Sequence, residues 1–181
     1  MACRAASVLA ILGLAFLSGC SWFGDSKEST ERPAASCPTT SVLKPLSQTA
    51  VFAPGATHQP IGVAFYGVLS DVTAKCDRSG DVLHLSLDVI VIGERGPASA
   101  QGAGVDLQYF VAVTGSDQSI LSKRSLPVHI AIPAAARRAG ITDHVEETVS
   151  LAGKAPGDLN IVLGFQQPPD VVEFYRHFHG R

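Results

Sequence analysis

Leu83-His84-Leu85-Ser86-Leu87-Asp88-Val89-Ile90-Val91 is the stretch that decides the fold. Leu83, Leu85, Leu87, Val89 and Val91 recur at every second residue, with His84, Ser86, Asp88 and Ile90 between them. Side chains of an extended strand point alternately to opposite sides, so this spacing gathers the five apolar groups on one face. A helix would scatter them around its circumference. The same alternation runs through Val63, Phe65, Gly67 and Leu69, with Ala64, Tyr66, Val68 and Ser70 opposite. It returns in Leu107, Tyr109, Val111 and Val113, and again in Leu126, Val128, Ile130 and Ile132. Strands are expected over 41–46, 61–76, 81–93, 105–114, 120–132, 143–151 and 160–166.

Turn chemistry separates these runs. Asp77-Arg78-Ser79-Gly80 ends in a residue that adopts positive φ without strain, and 115–119 has the length of a hairpin loop. Strands joined this way are antiparallel. The expected fold is therefore all-β: an antiparallel, two-sheet, immunoglobulin-like β-sandwich with a short C-terminal helix, a closed barrel being the second choice. Residues 93–104 read as a long mobile connection. Residues 133–140 read as one helical turn or an excursion between sheets. After Pro168-Pro169, Asp170 is placed to cap a helix. On that helix Val171, Phe174, Tyr175 and Phe178 fall at i, i+3, i+4 and i+7. The stripe packs on the domain's own open end, or docks on a partner protein, or is disordered; as a docking face, these four are the candidate partner-binding residues.

The N-terminus carries a different signal. Arg4 precedes an apolar run, Ala5 to Phe16, that is shorter than the roughly 20 apolar residues a spanning helix needs. A positive start, a short apolar core and small residues at the end are the form of an export signal. The following Leu17-Ser18-Gly19-Cys20 resembles the lipobox of bacterial lipoprotein precursors. That resemblance implies removal of residues 1–19, lipid on Cys20 and a membrane anchor made of acyl chains. It also implies, from Ser21 rather than Asp after the lipidated position, that the outer membrane is favoured over the inner one. Residues 21–36 are small, polar and charged, without periodicity, and read as a tether. Trp22 and Phe23 sit at the headgroup level or are incidental. Residues 37–168 are then the sandwich and 169–181 the tail.

Four cysteines are present. Cys3 falls in the export signal and Cys20 is the lipid site, which leaves Cys37 and Cys76. An even pair in an oxidising compartment favours a disulfide. A metal site or free thiols are the alternatives, and two lone cysteines without further ligands suit a metal poorly. Net charge is −2, and loss of Arg4 with the export signal makes the mature chain −3. No basic stripe exists, so nucleic acid is not an expected partner. Lys123-Arg124 and Arg137-Arg138 read as solvated loop charges.

The stretch 105–123 and the ending Val162-Leu163-Gly164-Phe165-Gln166, Pro169, Tyr175-Arg176, taken with the lipobox and the Cys37/Cys76 pair, resemble a group of uncharacterised alphaproteobacterial lipoproteins. The resemblance covers most of the mature chain. It implies a lipid-anchored β domain facing the periplasm and carries over no catalytic or binding residue. His177-Phe178-His179 departs from the group's ending.

No constellation in the chain carries an enzyme. Gly-x-Ser-x-Gly and a P-loop are both absent, and 102–104 lacks the strand–helix context of a dinucleotide fingerprint. Glu146 and Glu147 are neighbours in one strand and face opposite ways, while Asp77 and Asp81 flank a turn. His177 and His179 would need further ligands to hold a metal, and His84 and His129 read as surface residues. Neither cofactor nor metal is expected. What remains is a structural or assembly role through contacts with another envelope protein. The second reading is a small-ligand or glycan-binding module, for which Tyr66, Tyr109 and Phe110 are the mid-chain aromatic candidates.

Overall fold

The computed structural model describes residues 37–100 and 104–178. Its strands are β1 (Thr39–Val42), β2 (Gln48–Phe52), β3 (Val63–Ser79), β4 (Val82–Arg95), β5 (Val105–Gly115), β6 (Ile120–Ile130), β7 (Arg138–Ser150) and β8 (Leu159–Phe165), followed by one helix, α1 (Pro169–His177). They form two four-stranded sheets, with orders β1-β8-β5-β6 and β2-β3-β4-β7. The chain is thus mostly β, with two antiparallel-rich sheets and a short C-terminal helix.

The alternation in β4 builds the centre of the core. Leu83, Leu85, Leu87, Val89 and Val91 are almost completely buried, while His84 and Ile90 on the other face are exposed. Facing them from the first sheet are Leu107, Tyr109, Val111 and Val113 of β5 and Ile161, Leu163 and Phe165 of β8. At Gly67 the sheets come so close that a Cβ would lie 2.7 Å from Leu107 Cδ1 and 2.8 Å from Thr49 Cγ2. Only glycine holds that inward position without a shift of its neighbours. The β3–β4 hairpin closes at Gly80, whose φ is +62°, the freedom a tight turn demands. The disulfide Cys37–Cys76 joins the lead-in of β1 to β3, with Cα atoms 5.7 Å apart, and so ties one sheet to the other.

Several expectations need correction. The sheets are not wholly antiparallel: β1 runs parallel to β8, with Thr39 opposite Asn160 and Val42 opposite Leu163. The strand expected over 41–46 ends at Val42, because Pro45 within the 3-10 turn Lys44–Leu46 has no N–H for a ladder. An additional strand, β2, follows it. Thr49 and Ala50 of β2 are both buried, one toward the core and the other under α1, so its sequence shows no alternation. Residues 133–140 turn only at the start, where the Ala136 N–H donates to the Pro133 carbonyl; β7 already begins at Arg138, and Gly140 pairs with Ile92.

The helix start also differs from expectation. Pro168 occupies the N-cap and makes no side-chain cap. Asp170 instead lies in the first turn, its Oδ2 3.6 Å from His58 Nε2.

Candidate functional site

The helix α1 lies beside the outer face of the second sheet, at its β2 edge. Val171 and Phe174 are buried in the chain's own packing, Phe174 against Ala50, Phe52 and Val63. The Phe174 ring meets Phe52 at 5.3 Å and Tyr175 at 5.1 Å edge-on, and lies tilted against Phe178 at 5.1 Å. Phe52 in turn stacks on His58 at 4.4 Å. Of the four candidate partner-binding residues, then, Val171 and Phe174 are used internally, Tyr175 is half-buried against Phe174, and Phe178 is exposed.

Those two line a cleft of about 670 Å³ between α1 and the sheet, with Tyr66, Val68, Glu94 and His177 on its other walls. Alternation in β3 sends Tyr66 and Val68 outward here, because Phe65 and Leu69 take the core. The Tyr175 hydroxyl is buried and has no hydrogen-bond partner. Burial, with Tyr66 beside it, raises its pKa and keeps the phenol protonated. The cleft therefore offers aromatic and aliphatic walls, with the Tyr175 hydroxyl shut in behind them.

The apolar character continues along the sheet. Val68 pairs with Ile92, and Ile92 with Gly140 at the outer strand. Ile90, Ile92 and Gly140 line a shallow depression of about 420 Å³. Beyond it the same face becomes polar: His144 Nδ1 lies 2.6 Å from Asp88 Oδ1, and Thr148 Oγ1 lies 3.4 Å from His84 Nδ1.

Other sequence candidates fall in several places. Tyr109 is wholly in the core and Phe110 nearly so, leaving Tyr66 as the one of the three that lines the cleft. His129 is exposed, 2.7 Å from Asp106. Glu147 points between the sheets and Glu146 outward. Lys123 and Arg124 are strand residues rather than loop charges. Lys123 Nζ sits 4.5 Å from the Phe110 ring centre, and Arg124 Nε lies 2.8 Å from Glu147 Oε1. The Asp81 carboxylate accepts the N–H groups of Gly153 and Ala152, which lower its pKa. Cys20, Trp22, Phe23 and His179 lie outside the described residues. Among the described residues, no group of three or more His, Cys, Asp or Glu is placed to hold a metal ion, and no helix is long and apolar enough to cross a membrane.

The cleft was not readable beforehand. Its walls come from β3, β4 and a helix about eighty residues further on, and only the aromatic stripe of the tail pointed toward it. No family model, curated protein or solved structure matches the chain.

Proposed function

We propose that this is a lipid-anchored bacterial envelope protein, attached through Cys20 and facing the periplasm, that acts without catalysis by holding another envelope protein. The anchor rests on Leu17-Ser18-Gly19-Cys20 behind an export signal, and Ser21 favours the outer membrane. The resemblance to alphaproteobacterial lipoproteins supports the same reading. The two sheets are read as an immunoglobulin-like sandwich, supported by the β3–β4 and β5–β6 hairpins and by the crossings that bring β7 beside β4 and β8 beside β5.

One observation carries the contact role: the buried, unpartnered Tyr175 hydroxyl in a cleft whose rim ends in exposed Phe178. A segment of a partner that lays an apolar side chain between Phe178 and Val68 covers the exposed ring, and a carbonyl of the same segment satisfies the hydroxyl once the Tyr175 side chain turns toward the cleft. Leaving a buried donor unused costs about 1–3 kcal/mol, and a partner that removes this cost gains by it. A small ligand or glycan is the second reading, favoured by the cleft volume of about 670 Å³, which suits a small molecule.

The test places a photo-crosslinking residue at position 178 of full-length, tagged protein in native cells, beside a Cys20→Ala control. A discrete adduct that weakens in the control and disappears on Val68→Asp supports an anchored partner. No adduct, from protein whose Cys20 mass shows the lipid, sinks the contact role and leaves the ligand reading. Soaking with monosaccharides and amphiphiles, read by thermal shift, then addresses that one.

A further inference from the structure

We infer that the end of the sandwich where the tether enters is itself a membrane contact, with Ile120 and Leu121, at the start of β6 just behind the polar β5–β6 turn, resting in the interfacial layer of the bilayer. The inference rests on the anchor reading above and adds to it a defined orientation.

Strand register places the pair. Thr39 pairs with Asn160, Asn160 with Thr114, and Thr114 with Ile120, so these four residues form one rung across the first sheet. Cys37, two residues before Thr39, is bonded to Cys76 near the β3–β4 turn. The chain that leads back to Cys20 therefore leaves the fold at the same end as Ile120. Sixteen residues, 21–36, lie between Cys20 and Cys37, so the two can be at most about 60 Å apart. A lipid on Cys20 would hold this end within that reach of the bilayer, which raises the effective concentration for even a weak apolar contact.

The pair has the character for it. Ile120 is 65% exposed and Leu121 41% exposed. Adjacent strand residues point to opposite sides, so the start of β6, just behind the polar turn at 116–119, carries an exposed apolar side chain on each face. A flat protein surface would cover only one of them, whereas a fluid lipid layer surrounds both. Charges at this end are of mixed sign: Lys75, Arg78 and Lys154 beside Asp77, Asp81 and Asp117. No anionic lipid is needed to attract it. Ile61 is as exposed, at 69%, but lies at the start of β3, the opposite end from Cys76. Sixteen residues of strand separate Val63 from Ser79, about 50 Å at the rise of a strand.

Brominated-lipid quenching reads the contact. The chain has one tryptophan, Trp22. Lipidated full-length protein carrying Trp22→Phe with Ile120→Trp, or with Leu121→Trp, or with Ile61→Trp, is reconstituted in phosphatidylcholine vesicles brominated along the acyl chains. The expected result is about a twofold loss of fluorescence from the indoles at 120 and 121 and almost none from the one at 61. Equal, negligible quenching at all three positions, in protein that floats with the vesicles and whose Cys20 mass shows the lipid, overturns this inference and leaves the anchor standing. A Cys20 without acyl mass, in protein that does not float, overturns the anchor and the orientation together.

Discussion

Tyr109 reaches across the sandwich to donate a hydrogen bond to Asp143 Oδ2, at 2.7 Å. The ring, in β5, is completely buried in the core, and Asp143 is in β7 of the other sheet. One side chain thus fills core volume and satisfies an inward-pointing carboxylate. Tyr109→Phe keeps the ring and removes the donor. Its expected cost is about 1–3 kcal/mol, the range for a buried partner left unsatisfied. Urea unfolding measures it, and a loss below the error of the method would show that water replaces the hydroxyl.

The same contact predicts a pH dependence. Burial, then the hydrogen bond to Asp143 and the negative charge of that residue, raise the Tyr109 pKa above its ordinary value of 10.0. The folded state therefore favours the neutral phenol. Its contribution is complete below the unfolded pKa and is lost as pH rises above it, because the unfolded phenol then ionises and the folded one does not. The melting temperature of the native protein should fall from about pH 10 upward more steeply than that of Tyr109→Phe. Tyr175, also raised by burial, adds a slope of the same sign. Parallel curves for the two proteins would refute the account.

Arg124 guards an edge. β7 is the outermost strand of its sheet, with an unpaired side facing outward, a feature that invites another strand. Arg124, from β6 of the other sheet, donates Nη2 to the Glu146 carbonyl at 3.2 Å and holds Nε 2.8 Å from Glu147 Oε1. The side chain is half exposed, so the pair adds less than about 1 kcal/mol to stability. Its larger effect is on association. Arg124→Ala is expected to melt almost normally and to form dimers or larger species at high concentration, seen by sedimentation velocity. A strictly monomeric variant would assign the protection to Asp143 and Glu147 alone.

The tail separates packing from surface. Phe174 is 5% exposed and Phe178 37%, although both belong to one stripe. Phe174→Ala should cost about 3–4 kcal/mol, as for a large aromatic removed from a core. Phe178→Ala should cost under about 0.5 kcal/mol, as for a surface position. Similar losses at both sites, measured by denaturant unfolding, would mean that Phe178 also packs internally.

β4 was readable because it buries one face and leaves the other partly or fully exposed, so pattern and burial coincide. The alternating apolar residues of β3, β5 and β6 carried the same signal even though β5 buries Tyr109 to Val113 in succession. β2 was not, since α1 covers its outer side and the core covers its inner side, leaving Thr49 and Ala50 buried in succession. The start of β7 was hidden by Ala134 to Ala136 and by Gly140, residues whose local preference is for a turn or helix. Pairing with β4 outweighs that preference. The Cys37–Cys76 bond was legible from the even pair of cysteines left beside the export signal, and the amphipathic helix from its spacing. The cleft was not, because periodicity within an element carries no information about which face of another element it will meet.

The disulfide closes a sequence separation of 39 residues, for which chain entropy predicts a contribution of about 4 kcal/mol. That figure describes the unfolded chain; the native consequence is more local. β1 is only four residues long, sits at the edge of its sheet and pairs with β8 alone, so it has few contacts of its own. Cys37 is its upstream restraint. In Cys37→Ser/Cys76→Ser, global stability should fall by about 3–4 kcal/mol. Amide exchange at Thr39 to Val42 should speed up beyond what that global loss explains, while Leu83 to Val91 should follow the global change alone. Equal acceleration in both segments would mean that β1 holds its place without the bond, and that the cross-link acts only on the unfolded chain.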